Sequence, residues 1–310
     1  MVVNKSIWQK KEIQSIKEIL TSPIDGIAQK EALFKVTTAP PSTYFKSLKT
    51  YRTILIPIIL DDPNHYFSSF NEGLDTSIKE KVKQEGVVLQ KSVNKYAAGQ
   101  YIVYLIAKNQ QALLSFAETK KNELRNYFHQ REITELKAHI KQERKNKNAI
   151  TLIQEKFSSQ MIIPKGFEIA LDTTHFLWLR QSEPSKDLNI FISKITPDEI
   201  SFDDNSIIGY RNHLCKKYIF GNTNRKDSYM ITETILGPYF KNTVFNKGYA
   251  KECRGLWKLN NLSMGGTFIS FTFLSNDKQF FYLEAFLHNP GKKKITELRK
   301  LEAILKTFTP

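Results

Sequence analysis

The residues that could do chemistry are few, and their spacing decides most cases. A hydrolytic nucleophile needs a base within hydrogen-bond reach, commonly set up by a GxSxG elbow. The chain has no such elbow; His213 stands two residues before Cys215, a spacing that does not put two side chains face to face on a helix, and Cys253 has no histidine close in sequence. The histidines are His65, His129, His139, His175, His213 and His288. His129 and His139 share a helical stretch but are too far apart to grip one metal ion as an i, i+4 pair would. His175 and His288 fall beside strand ends and read as surface or hydrogen-bonded side chains. The cysteines form no CxxC and no zinc pattern. FDDNS (202–206) and DPNH (62–65) read as turns and helix caps, and FDDNS lacks the later ligands of a calcium loop. Neither GxxxxGK[ST] nor GxGxxG occurs, so nucleotide binding by those routes has no support. No catalytic residue, metal site or cofactor is assigned.

Carboxylates offer one opening. Glycan hydrolysis needs two of them about 5–9 Å apart. Glu252 and Glu284 are candidates on neighbouring strands. Glu284 lies in the apolar run FYLEAF, where an unpaired carboxylate is costly, so the sequence points to an ion pair with Arg254 or Arg180. Paired acid catalysis is the competing reading.

The window AKECRGLWKLNNLSMGGTFISF (250–271) is the most distinctive stretch. Strand alternation puts Cys253, Gly255 and Trp257 on one face and Arg254, Leu256 and Lys258 on the other. LNNLSMGG reads as a turn: Asn260 and Asn261 tolerate left-handed backbone, and Gly265-Gly266 allow close backbone approach. One reading is a structural hairpin, with Trp257 and Met264 buried against the stripe of Leu298, Leu301 and Leu305. The other is a recognition rim, since Trp and Met side chains offer adaptable apolar area. The candidate binding surface is therefore Trp178, Arg180, Arg254, Trp257, Met264, Gly265, Gly266 and Glu284. Trp257 is expected to pack, with Met264 and the glycines at an accessible edge.

These residues need elements to position them. Ile13, Ile16, Ile19 and Leu20 share a helical face over 9–20. Strands are expected at 2–7, from 32 to the break at Pro40-Pro41, and at TILIPIIL (53–60), where Pro57 demands an edge or bulge. A helix over 74–85 stops at Gly86, and 87–93 pairs with 100–108 as a hairpin. A helical pattern runs from 109 towards 144, and a shorter helix follows over 148–157. Thereafter the order is β-β-β-α-β-β-β-β-α: strands within 163–181, at 189–195, 228–235, 248–257, 267–275 and 279–287, with helices at 206–219 and 293–308. Most strand connections are short enough for hairpins. The fold class is α+β: two α/β-sandwich halves with largely antiparallel sheets covered by helices, joined by a long helix. The expected domains are 1–108, a connecting helical segment at 109–160, and 161–310.

Bulk composition sets the outer limits. The 310 residues carry a formal charge of +15, are 41% hydrophobic and include 12% aromatics, so a substantial core is available. No apolar run reaches the roughly 18 residues of a membrane-spanning helix. The charge suits anionic surroundings, but it is dispersed, and its densest run, KAHIKQERKNKNAI (137–150), reads as a solvated helix face and loop. Nucleic-acid binding would explain the charge but finds no RNA or DNA motif. Cys215 and Cys253 read as buried free thiols, with a single disulfide as the alternative in an oxidising compartment.

FLWLRQ (176–181), CRGLWKLNNLSMGGTFISFTFL (253–274), LRKLEAILKTF (298–308) and the N-terminal SIW…EALFKVTTAPPSTYF…TILI together resemble an uncharacterised family of envelope lipoproteins from Bacteroidetes, a family known as a domain of unknown function. The layout of the C-terminal half is also similar to PsbP-like sandwiches, whose members are mostly binding or assembly factors. The first resemblance implies a lipidated cysteine at the end of an upstream signal. Because VVNKSIW opens as a strand already under way, such an upstream segment is expected. The resemblance implies no reaction. It points to a non-enzymatic envelope lipoprotein, an interaction module or accessory subunit of an outer-membrane assembly. Its partners would be other envelope proteins and, through the lipid anchor, the outer membrane. The alternative is an enzyme or binder acting on envelope glycans or other envelope polymers, with Glu284, Arg254 and Arg180 as its polar cluster.

Overall fold

The computed structural model describes residues 1–27, 30–64, 66–195, 201–222, 225–261 and 264–310. His65, singled out above, lies outside them, as do Leu262 and Ser263 in the turn of the tryptophan-glycine window. The protein is α+β, and the chain divides into two compact units. One comprises residues 1–22 and 32–130, the other 23–31 and 131–310.

The first unit contains α1 (Lys11–Thr21), the short α2 (Pro41–Thr43), β1 (Thr53–Ile59), the short α3 (Ser68–Asn71), α4 (Thr76–Glu85), β2 (Val87–Val93), β3 (Tyr101–Ala107) and α5 (Gln110–Thr119). Its sheet runs β1-β3-β2, with β1 parallel and β2 antiparallel to β3. Pro57 sits on the edge strand, where its missing N–H breaks no ladder. The expected strand at 2–7 does not form. Val2 makes an isolated bridge to Ala39, and Asn4 accepts the Ser6 N–H to start a 3-10 turn over Lys5–Ile7. The expected strand after 32 is likewise reduced to isolated bridge residues at Ala32 and Ala39. Pro40-Pro41 removes two donors, and Pro41 instead begins α2.

The helical run beyond 109 is two helices. Lys120 separates α5 from α6 (Lys121–Gln142), within which the division between units falls. α7 (Lys147–Phe157) is capped by the Asn146 side chain, which accepts from the Ala149 N–H.

The second unit is built on β4 (Glu168–Asp172), β5 (Phe176–Glu183), β6 (Lys186–Ile195), β7 (Phe220–Asn222), β8 (Arg225–Glu233), β9 (Tyr239–Phe245), β10 (Gly248–Leu259), β11 (Gly265–Leu274) and β12 (Phe280–His288). Its helices include α8 (Asp204–Tyr218) and α9 (Ile295–Leu305). The strand order is β4-β5-β6-β12-β11-β10-β8-β7, with β9 also paired to β10, and every pairing is antiparallel. β7 and β9 are additions to the expected order. β7 has three residues, and β9 buries only Phe245, so neither shows a buried alternation.

Both faces of this sheet are apolar. α9, α7 and Ile133 and Ile140 of α6 share one core cluster with Ile269, Phe271, Leu283 and Ala285. α8 shares the other with Phe191, Cys253, Trp257, Phe268 and Tyr282. Asp203 caps α8 by accepting the Ser206 N–H, so FDDNS is a helix cap. α9 has no local cap, and Glu31 supplies one from far away in sequence. Its carboxylate accepts the Lys294 N–H at 2.8 and 2.9 Å and the Ile295 N–H at 3.0 Å.

Candidate binding site

The register of β10, β11 and β12 sorts the polar residues. Arg254 lies opposite Ile269, which lies opposite Ala285; Cys253 lies opposite Ser270, which lies opposite Glu284. Arg254 and Glu284 are thus one residue out of step and point to opposite faces. The expected pairing of Glu284 with Arg254 or Arg180 does not occur. Glu252 follows Arg254 to the α9 side, so Glu252 and Glu284 cannot flank a common bond.

Glu284 pairs with Arg211 of α8, and both side chains are fully buried. The Arg211 Nε donates to Oε2 at 2.9 Å and Nη2 to Oε1 at 2.8 Å. Nη1 donates to Thr232 Oγ1 at 3.0 Å, and the Tyr282 hydroxyl donates to Glu284 Oε2 at 2.6 Å. The guanidinium also lies 3.9 Å over the Phe268 ring. Desolvation works to lower the arginine's pKa, but Glu284, Cys215 and Tyr282 together outweigh it and hold the guanidinium above its ordinary range. Burial pushes the Glu284 carboxyl up, against the pull of Arg211. On the other face, Arg254 Nε donates to Glu252 at 2.6 Å and Nη2 to Glu302 of α9 at 2.9 Å. These groups are enclosed and mutually satisfied, which suits helix docking and leaves none of them open to a substrate.

Cys215 and Cys253 are free and buried. Desolvation pushes the Cys215 thiol up to about 12 and raises Cys253 as well, so neither is a ready nucleophile.

The remaining candidates gather on the α8 side of the sheet. Trp178, Arg180, Trp257 and Met264 line a hollow of ≈ 90 Å³ with Met230, Phe286 and His288. Trp257 is buried, and its ring meets Phe286 edge-on at 5.7 Å. Its Nε1 donates to the Leu287 carbonyl at 3.3 Å. It therefore does not pack on α9 as the structural-hairpin reading required; alternation sends Arg254, not Trp257, to that helix. Trp178 is half-buried and donates to Asn189 Oδ1 at 3.0 Å. Arg180 is exposed and pairs with Asp187 at 2.9 Å. His288 lies 2.8 Å from the Gly265 carbonyl.

Gly265 and Gly266 are required by packing. A Cβ on Gly266 would stand 2.0 Å from the Leu287 carbonyl and 2.7 Å from the Trp257 ring nitrogen; one on Gly265 would stand 2.7 Å from the Trp257 carbonyl. Both also line a second hollow of ≈ 280 Å³ that shares Trp257. The structure thus brings together Trp178, Arg180, Trp257 and Met264, seats Gly265 and Gly266 beside them, and leaves Arg254 and Glu284 outside the hollow. Among the described residues, no cluster of His, Cys, Asp or Glu could hold a metal ion.

Residues 146–307, more than half the chain, match the family described as Domain of unknown function (DUF4837). The chain belongs to that family. The DUF4837 match spans the sheet and both helices that carry the buried ion pairs, together with the hollow. Residues 1–141 match a second model, Domain of unknown function (DUF8532). Among curated proteins no relative matches.

Solved structures similar to this chain include the Saccharomyces cerevisiae Ran-binding protein MOG1P, at 8% identity and a TM-score of 0.31, covering 49% of this chain and 89% of that one. LpqN of Mycobacterium tuberculosis, described as involved in cell envelope biogenesis, is similar at 13% identity and a TM-score of 0.29. That match covers 49% of this chain and 83% of LpqN.

Arg211 and Glu302, which hold the buried pairs beside the site, were not among the residues singled out from the sequence. Each had a signal. Arg211 is in phase with the apolar Ile207 and Leu214 on α8, and Glu302 with Leu298 and Leu305 on α9. A charge within a buried stripe demands a buried partner.

Proposed function

We propose that this DUF4837 protein is a non-enzymatic binding module of the cell envelope, held there as a lipoprotein, and that its hollow seats one large apolar side chain of a partner protein. The observation that carries the reading is the division of labour on the sheet. The groups fit for acid-base work are locked in buried pairs, while Trp178 and Met264 remain half-open around a small hollow. At ≈ 90 Å³ the hollow is smaller than the roughly 300–1,000 Å³ typical of small-molecule sites, and suits a single anchoring side chain. The Arg180–Asp187 pair at its edge supplies a polar rim. The envelope assignment rests on the likeness of 176–181, 253–274 and 298–308 to envelope lipoproteins.

The test begins with a photoreactive methionine analogue at position 264, used to crosslink in the envelope fraction and to identify the joined peptide. That peptide, made synthetically, is then titrated into the purified protein. An apolar residue at the crosslink, with Met264→Glu weakening binding at least about tenfold, is the expected result. Unchanged affinity in both Met264→Glu and Trp178→Ala, or a crosslink to glycan and not to protein, would overturn it.

A further inference from the structure

A separate cleft of ≈ 430 Å³ opens between α8 and the strands β5 and β6, and it shares no lining residue with the Trp257 hollow. Its size lies within the small-molecule range. Lys194, Lys217, His175 and His213 line it, and no carboxylate does so among the described residues. Among the described residues, neither lysine makes an ion pair there. The cleft also has an aromatic component: Phe176 and Tyr218 stack with ring centres 4.4 Å apart. The Ser193 and Tyr210 hydroxyls share a hydrogen bond of 2.8 Å at the same place.

The wall is braced from within. Tyr210 meets the Tyr282 ring edge-on at 5.9 Å, and Tyr282 is itself fixed by Glu284 and Arg211. The buried ion pair therefore preorganises the cleft. Gly209 on α8 borders it, and a Cβ there would meet nothing within 4 Å. The C-terminal partial charge of α8 opposes an anion at one end only, and Lys216 and Lys217 in the last turn offset it.

We propose that this cleft binds a phosphate monoester carried on an apolar or aromatic body. Two ammonium groups and two imidazoles suit a multiply charged, tetrahedral anion, which lysine engages as a point charge. The planar fork that favours a carboxylate belongs to arginine, and no arginine lines the cleft. The half-buried Tyr218, seated on the buried Phe176 ring, gives the body of such a ligand a surface to rest on.

Calorimetric titration of the whole protein with phenyl phosphate tests the soluble form of the ligand, and sedimentation with phosphatidic acid vesicles tests the lipid headgroup form. Gly209→Leu puts a bulky side chain at the cleft wall, where its Cβ meets nothing within 4 Å, with a gain in helix propensity, and Lys217→Glu reverses a charge at the surface. Binding of either probe, weakened about tenfold or more by both variants and untouched by Met264→Glu, is expected, and the probe that binds identifies the source. Binding of neither probe, or full binding in either cleft variant, would overturn the proposal. Phenylacetate binding as tightly as phenyl phosphate would remove the phosphate assignment, and inorganic phosphate binding as tightly would remove the role of the aromatic pair. Because Met264→Glu lies outside the cleft, failure here leaves the protein-docking reading standing, and the reverse.

Discussion

At the residue scale the buried charges are the strongest constraint. Glu284 is neutralised by Arg211 within a network of Tyr282 and Thr232, so removing its charge strands a guanidinium in the core. Glu284→Gln is expected to cost about 3–5 kcal/mol, read as a fall in the denaturation midpoint. Arg211→Met combined with Glu284→Leu is expected to recover most of that loss, because the pair's desolvation penalty disappears with it. A double variant no more stable than Glu284→Gln would show that the network does more than neutralise charge. The cysteines give a second check. With both thiols buried and their pKa values raised, a thiol-specific disulfide reagent should label neither in the native protein and both in denaturant. Fast native labelling would contradict the burial.

At the element scale, α8 and α9 each place a buried charge in an apolar stripe against the sheet, Arg211 and Glu302, and each adds a more open pair, Asp204 with Lys251 and Glu297 with Lys186. α9 has a further tie, the Glu31 carboxylate at its first turn. Glu31→Ala is expected to cost about 1–2 kcal/mol by thermal denaturation, the usual loss of a helix cap. A change within error would remove Glu31 as a cap. Much of this layer was legible in the sequence. The face assignment of Cys253, Trp257 and Arg254 follows from alternation, and Gly86, at φ +79°, ends α4 where its type demanded. What alternation along one strand cannot supply is register across a neighbour. Arg254 and Glu284 look like partners until β11 is inserted between them and the count shows opposite faces. β9 escaped for a related reason: of YFKNTVF only Phe245 is buried, too little to show an alternation.

At the scale of the whole molecule, the sheet of the DUF4837 region carries its polar chemistry inside, and Trp178 and Met264 stand half-open at the Trp257 hollow. The sequence named the residues of that hollow, but it grouped them with Arg254 and Glu284, which only the three-dimensional register separates. The +15 charge is a property of the whole surface and is compatible with many anionic surroundings, so it did not choose among functions. The central claim is that the protein works through the hollow and that the buried cluster is structural. The most direct measurement is the affinity of the segment crosslinked at position 264 for three proteins: wild type, Met264→Glu, and Glu284→Gln at a temperature where it is folded. The account predicts a loss of about tenfold or more for Met264→Glu and wild-type affinity for Glu284→Gln. The opposite pattern, with Glu284→Gln losing binding and Met264→Glu keeping it, would contradict the account and return function to the carboxylate.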